Sequence, residues 1–364
     1  MKPITKLLAG IFILLVIYLL IWPVPIDPVK WEAPPNPGYT GPFSVNSRLA
    51  GIEKLPLIDT HGPEDIAIDD RGRIYAATHE GYIVRLENHT ARPEKWATTG
   101  GRPLGIDFDA NGNLIVADAF VGLLSINPAA KVTKLADMAD GIPIAYADDV
   151  DTAADGKIYF SDASVKFGAK ENNGTLAASM IDLMEHGGNG RLLVYDPKTG
   201  QATTLIDGLS FANGVAVSPD QSFVLINETG NYRVLRYWIS GPKKGTWEPL
   251  VEDLPAFPDN ISTGYDGRFW IAMISPRNSL LDKVADKPFL RKMIYRLPEA
   301  IKPKAVHYGH IIAIDKNGQV VANLQDPDAA CPMNTGVTET KDYLYIGSLI
   351  TDFIARLPKA KASL

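Results

Sequence analysis

Glu64, Asp148, Asn213 and Asp259 lie far apart in the chain, yet each leads a segment of one design: GPEDIAID, YADDVDTA, FANGVAVS and FPDNISTG. Two more segments, RPLGIDFD around Leu104 and, less cleanly, MNTGVTET around Thr335, keep the register without an acid or amide in the lead. Three carboxylates brought together without a cation would repel one another and hold unpaired charge away from water. Hard oxygen donors of mixed carboxylate and amide type suit Ca²⁺, Mg²⁺ or Mn²⁺, and the lack of His and Cys in the set argues against Zn²⁺. Calcium is the expected ion. The plainer reading is that these side chains only cap turns or hold backbone amides at strand starts, as Asp and Asn often do. Their shared register favours a common site.

The elements that must carry them repeat. In the first five segments an apolar residue follows the lead by two positions (Ile66, Ile106, Val150, Val215, Ile261), and a second apolar run starts eight further on (Ile74, Leu114, Ile158, Phe223, Phe269). The sixth is one residue short, with Val337 and then Leu344. Strand, polar turn, strand at a period of roughly forty residues is the pattern of propeller blades. Stretches such as GRIYAATHEGYIVRL and SFVLINETGNYRVLRYW supply further short strands joined by hairpins. The expected fold is all-β, a six-bladed β-propeller whose innermost strands line the axis, so that the lead positions form a ring at one mouth. Residues 44–364 make this domain, with 44–57 expected to pair with the last blade and close the ring. Insertions at 164–190 and 275–303 split the third and fifth blades, and helical patches in the second suit a lid.

Residues 1–22 form the other strong signal. Leu7 to Trp22 is almost wholly apolar, follows Lys2 and Lys6, and lacks the small-residue pattern of a cleavage site. Such a run just crosses a bilayer, and the preceding charges favour a cytoplasmic N-terminus with the propeller on the other side. The Pro-rich stretch 23–43 reads as a stiff spacer standing off the membrane. A net charge of −6 with scattered cations offers no nucleic-acid surface. The single cysteine, Cys331, excludes an internal disulfide.

Several runs carry a family likeness: GPEDIAID, GRPLGIDFD, ADAFVGLLSI, GLSFANGVAVSPDQSFVLINETGNYRVLRYWISGPKKGT and LPAFPDNIS with GRFWIAMISPR. From about residue 57 to 357 the chain resembles the strictosidine synthase-like family, which includes the adipocyte plasma-membrane-associated proteins and is related to paraoxonases and to gluconolactonase-type lactonases. The resemblance implies a six-bladed propeller and an axial calcium held by Glu64, Asn213, Asp259 and Asn260, with Asp148 where the family usually has Asn. It also implies a second, structural calcium at Asp65 and Asp149, the residues following two of those ligands. Two departures stand out. Leu104 and the run Ala117-Asp118-Ala119 do not match the paraoxonase histidine pair, and Thr335 occupies the position aligned with the glutamate of plant strictosidine condensation.

The expected activity is therefore calcium-dependent hydrolysis of small-molecule lactones or related esters, with Asp259 as the acid-base residue by resemblance to the gluconolactonase type. His61 and His79, near the first blade, are auxiliary candidates. A membrane-anchored binding propeller with a purely structural ion is the alternative, and a condensing enzyme a more distant one.

Overall fold

The computed structural model describes residues 3–362. Six sheets, antiparallel except where Ala139 bridges Ala202 in the third, stand around one axis. The first strands of the six blades are Ile66–Ile68, Pro103–Phe108, Ala147–Thr152, Ala212–Val217, Ala256–Thr263 and Asn334–Glu339, and they touch one another in that order round a closed ring. Five blades have four strands; the third carries an added hairpin, Met138–Ala139 against Ile142–Pro143, beyond its outer edge. Closure is as the sequence predicts. Glu53–Pro56 pairs antiparallel with Phe353–Pro358 and becomes the outer strand of the sixth blade.

Second strands are buried on both faces because blades pack face to face. Along Leu114–Asp118, Leu114 and Val116 turn toward the first blade while Ile115 and Ala117 turn toward the third. This two-residue alternation is repeated around the ring, so six apolar clusters fill the six interfaces between blades.

The inner hairpins are set by turn chemistry. Asp69 Oδ1 accepts from the backbone N–H groups of Arg71 (3.0 Å) and Arg73 (2.9 Å), and Asp109 Oδ1 does the same for Asn111 and Asn113 (2.9 and 2.8 Å). Gly72 and Gly112 follow at φ +78° and +75°, where a Cβ is disfavoured. Val337 pairs with Ile346 in the sixth blade, whereas Ile66 pairs with Ala76 in the first, so the sixth hairpin is one residue shorter. Val215 pairs with Ile226, making the fourth hairpin one residue longer, an offset that the spacing of apolar runs hides.

Helix α1 (Pro3–Ile21) contains an exposed apolar window, Ile4–Ile21, of mean hydropathy 2.7, long and apolar enough to cross a membrane. Lys2 lies outside the described residues. Both insertions are helical: the first carries α2 (Thr175–Glu185), the second α3 (Ser279–Lys283) and α4 (Pro288–Tyr295). The 23–43 stretch, expected as a spacer between membrane and propeller, is docked on the domain. It runs as a strap across the insertions, with Val29 N–H on Glu185 O (2.9 Å), Trp31 N–H on Ala285 O (3.3 Å) and Arg277 donating to Pro34 O and Pro35 O (2.6 and 3.1 Å). Trp31 stacks on His186 at 3.8 Å between ring centroids, and Phe43 is buried in the interface of the fourth and fifth blades. Proline removes backbone donors but leaves carbonyls free, and the insertion's arginines take them.

Candidate functional site

Five of the six inner strands are interrupted by a β-bulge at the lead residue and its successor. Pairing skips from Pro103 to Ile106, Ala147 to Val150, Ala212 to Val215, Pro258 to Ile261 and Asn334 to Val337. A bulge takes two consecutive side chains out of strict alternation and re-aims them. In the first blade Glu64 and Asp65 precede the strand, held by Glu64 N–H on Ala77 O (2.9 Å) and Ala77 N–H on Asp65 O (3.1 Å).

The lead residues Glu64, Asp148, Asn213 and Asp259 are all almost excluded from solvent. Asn213 Nδ2 donates to Asp259 Oδ1 at 2.5 Å. Asp148 is within electrostatic reach of both Asp259 and Glu64, and burial together with those charges pushes its carboxyl well above the usual range. Burial, then the charge of Glu64, does the same to Asp259, against the lowering effect of the Asn213 amide. Glu64 is pushed up to about 7 by burial, opposed by Arg102. The four are thus brought together as the register predicts.

Among the described residues their one close cation is Arg102, which the sequence did not mark as a partner. It is 2% exposed; its Nη2 donates to Glu64 Oε2 at 3.3 Å and its Nη1 to Pro103 O at 3.0 Å, while Nε has no partner. One guanidinium, bonded to Glu64 and felt by Asp148, stands against the charge of this cluster. The remaining oxygens are poorly supplied: Asn213 Oδ1 is buried without a partner, and Asp148 accepts no protein hydrogen bond among the described residues. This donor set fits a hard divalent cation. Among the described residues, no three His, Cys, Asp or Glu side chains stand at the spacing of a formed cation site, and the Arg102 pair engages Glu64 instead.

The successor residues make a second layer: Asp65, Gly105, Asp149, Gly214, Asn260 and Gly336, alternating polar and glycine. The space left at Gly105 and Gly336 is taken by the side chains of Asp149 and Asp65, and that at Gly214 by the backbone of the fifth blade's inner strand. Asp65 Oδ2 accepts from Ile106 N–H at 3.0 Å and Asp149 Oδ2 from Val215 N–H at 2.8 Å. A Cβ on Gly105 would stand 2.3 Å from Asp149 Oδ1, and one on Gly336 2.7 Å from Asp65 Oδ1. Burial lifts Asp65 to about 7 and Asp149 well above the carboxylate range. Asn260 completes the layer with both side-chain polar atoms buried and unpartnered. Val150 N–H also donates to Asp149, to Oδ1 at 2.9 Å.

Second-strand ends position the leads. Asp118 Oδ1 accepts from Arg102 N–H (3.0 Å), Asp162 Oδ1 from Tyr146 N–H (2.9 Å) and Glu228 Oε1 from Ser210 N–H (2.8 Å), each a residue two or three before a lead. Asn227 and Thr229 hold the carbonyls of Asp259 and Pro258 at 2.5 and 2.7 Å, and Thr335 Oγ1 donates to Glu64 O at 2.5 Å. The signal was in the sequence: VADA, FSDA and INET place an acid at one register.

Both insertions rise from the end that holds the leads, since Ala147 pairs with Asp162 and Ala256 with Pro276. Leu104, Tyr146 and Phe211 pack with Ala178 of α2, giving the mouth an apolar wall. His61 Nδ1 lies 2.5 Å from Glu80 Oε1 and its ring is 4.7 Å from that of His79, which feels the charge of Arg102. Cys331 is buried in the interface of the fifth and sixth blades, its thiol pushed up to about 12. Glu339 serves the frame, accepting from Trp270 Nε1 at 2.8 Å.

Two family models match: "Strictosidine synthase" over residues 148–242 and "Strictosidine synthase-like, N-terminal" over residues 41–86. The chain is 33% identical to the rat adipocyte plasma membrane-associated protein over 92% of its own length and 93% of the relative's. It is 34% identical to a strictosidine synthase-like protein of Arabidopsis thaliana, number 13, over 91% and 87%. Its fold resembles that of a gluconolactonase from Xanthomonas campestris (TM-score 0.61, 15% identity, 91% of this chain and 99% of that one). It also resembles that of regucalcin, described as calcium-binding, from Agrobacterium tumefaciens (TM-score 0.56, 14% identity, 83% and 90%). Those two likenesses establish the propeller.

Proposed function

The chain belongs to the strictosidine synthase-like family, together with the adipocyte plasma membrane-associated proteins, and we propose that it hydrolyses lactones or related esters with the help of an axial calcium ion. The observation that carries this is the excess of buried oxygen donors over buried cations: Glu64, Asp148 and Asp259 with the unpartnered Asn213 Oδ1, against Arg102 alone. Glu64, Asp148, Asn213 and Asp259 would hold the ion, with Asn260 beneath them; Asp65 and Asp149 would hold a second, structural one. A bound divalent ion supplies polarisation of a substrate carbonyl.

The chain's own groups do the rest. Asp259, fixed by the Asn213 amide and with its carboxyl raised by burial, is placed to hold a proton and pass it on, as acid-base work requires. The Leu104, Tyr146 and Phe211 wall excludes water and suits an apolar substrate body. Arg102, with a free Nε–H, has the capacity to orient an oxygen of the substrate. We read the anchor as a single span, supported by the length of α1 and the names of the relatives, and take its N-terminus as cytoplasmic from Lys2 and Lys6 in the sequence ahead of the apolar run.

The Arg102–Glu64 pair favours a second reading, a binding propeller in which the guanidinium and a structural ion only balance charge. The two separate in one experiment: purified full-length protein in detergent, assayed on a panel of lactones and aryl esters with and without a chelator. Turnover lost on chelation and restored by calcium supports hydrolysis. Folded, calcium-binding protein with no turnover on any member points to the binding propeller.

A further inference from the structure

The segment from Ser275 to Val306 carries eight Lys and Arg against three Asp and Glu, a local excess of five positive charges in a chain whose net charge is −6. The same region exposes apolar side chains: Leu280 on α3, Phe289 and Leu290 on α4 and Ile301 beyond it, joined by Leu176 and Met180 on α2. The two helices bearing most of them are in contact, since Arg291 of α4, itself buried, donates to the carbonyls of Met184 and Glu185 at the end of α2 (3.1 and 3.3 Å). Buried Arg291 and Ile294 are the inward side of α4, whereas Phe289 and Leu290 are exposed.

This surface is continuous with the membrane-length helix. Arg296, just past α4, donates to Leu19 O in the last turn of α1 at 2.9 Å and to Trp22 O just beyond it at 2.6 Å, so the insertion holds the end of the helix. Lys292 pairs with Asp27 at 2.8 Å immediately after the span. An arginine that binds the end of a membrane helix holds its own helix at the depth of the bilayer interface.

Resting on the reading of α1 as a membrane helix, we infer that α2, α3 and α4 form a second membrane contact, lying on the anionic phospholipid surface of the bilayer that α1 enters. Exposed Leu, Phe and Ile next to a surplus of lysines is the composition of an interfacial helix: apolar residues enter the headgroup boundary and cations meet acidic lipid. Because both insertions rise from the end that holds Glu64 and Asp148, this seating places the mouth of the axial site at the membrane and admits substrates that partition into lipid.

The test uses the full chain in vesicles of phosphatidylcholine and phosphatidylserine containing spin-labelled lipid quencher. A fluorophore is placed in turn on Leu290→Cys in α4, on Leu14→Cys in the span, and on Trp247→Cys, on the outer strand of the fourth blade; Cys331 is buried and stays unlabelled. Quenching at 290 about twofold or more above that at 247, falling when phosphatidylserine is omitted, is expected. A probe at 290 no more quenched than at 247, with 14 strongly quenched, overturns the seating while the anchor stands. Failure of quenching at both 14 and 290 overturns the anchor and the seating together. In Leu290→Cys carrying Lys283→Glu and Lys287→Glu, quenching at 290 should fall while far-UV circular dichroism is unchanged; undiminished quenching would remove the role given to charge.

Discussion

Asn213 gives its amide N–H to Asp259 at 2.5 Å, while its own carbonyl oxygen, just as buried, receives nothing. The bond orients the side chain so that Oδ1 and the second oxygen of Asp259 are left for an occupant of the axial site. Asn213→Ala removes both roles with little change in core volume. The expected outcome is a fall in turnover of about 10²-fold or more, with calcium no longer raising the thermal midpoint as it does in the wild type. Equal calcium stabilisation in wild type and variant would remove Asn213 from the ion's ligands.

Arg102 and Glu64 form a buried pair in which each partner depends on the other when no ion is present. Replacing Arg102 by Met leaves Glu64 unpaired, which typically costs about 3–5 kcal/mol for a buried charge. A divalent ion bound at Glu64 would supply the missing positive charge. Urea denaturation of Arg102→Met should therefore show a large deficit in chelator and a much smaller one in calcium. A deficit that calcium leaves unchanged would identify the guanidinium, and not a metal, as the counter-charge at this mouth.

The ion-free protein should lose stability as pH rises. Glu64 has an ordinary value of 4.5 and sits near 7 in the fold; Asp65, Asp148, Asp149 and Asp259 are raised as well, all chiefly by burial. A raised carboxyl keeps its proton in the native state after the unfolded chain has released it. Its stabilisation is complete below about 4.5 and is lost as pH passes through about 7. Thermal midpoints in chelator should fall steadily over that window. Saturating calcium, which binds the ionised forms, should flatten or reverse the slope; a rise in midpoint with pH in chelator would contradict the grouping of these acids.

The blade register, the ring closure by Glu53–Pro56 and the four lead residues were legible because apolar periodicity and turn residues are local signals, and a ring turns a common register into a common place. Arg102 was not legible as a partner of Glu64, because nothing local says that a residue two before one lead reaches the lead of the preceding blade. The docking of the strap was not legible for a similar reason: proline-rich composition sets local stiffness, whereas docking depends on arginines 242 to 262 positions away. The alternation of Asp65, Gly105, Asp149, Gly214, Asn260 and Gly336 was visible as letters, but its meaning needs the bulges that turn successive blades toward each other.

That alternation gives the sharpest structural prediction. An ideal Cβ on Gly214 would lie 2.3 Å from the backbone N of Ile261 and 2.6 Å from the carbonyl carbon of Asn260, so the inner strands of the fourth and fifth blades would have to part. No flexible side chain can yield there, and the displaced strand is the one that carries Asp259 and Asn260. Gly214→Ala should cost about 1–3 kcal/mol and weaken calcium binding, although it touches no ligand side chain. Gly51→Ala, where a Cβ meets only Lys361 and Leu357 side-chain atoms at 3.6 and 4.0 Å, is the matched control and should leave both unchanged. Chemical denaturation and a calcium titration on the two variants decide the matter: if Gly214→Ala binds calcium like the wild type, the close approach of these two strands has no part in shaping the site.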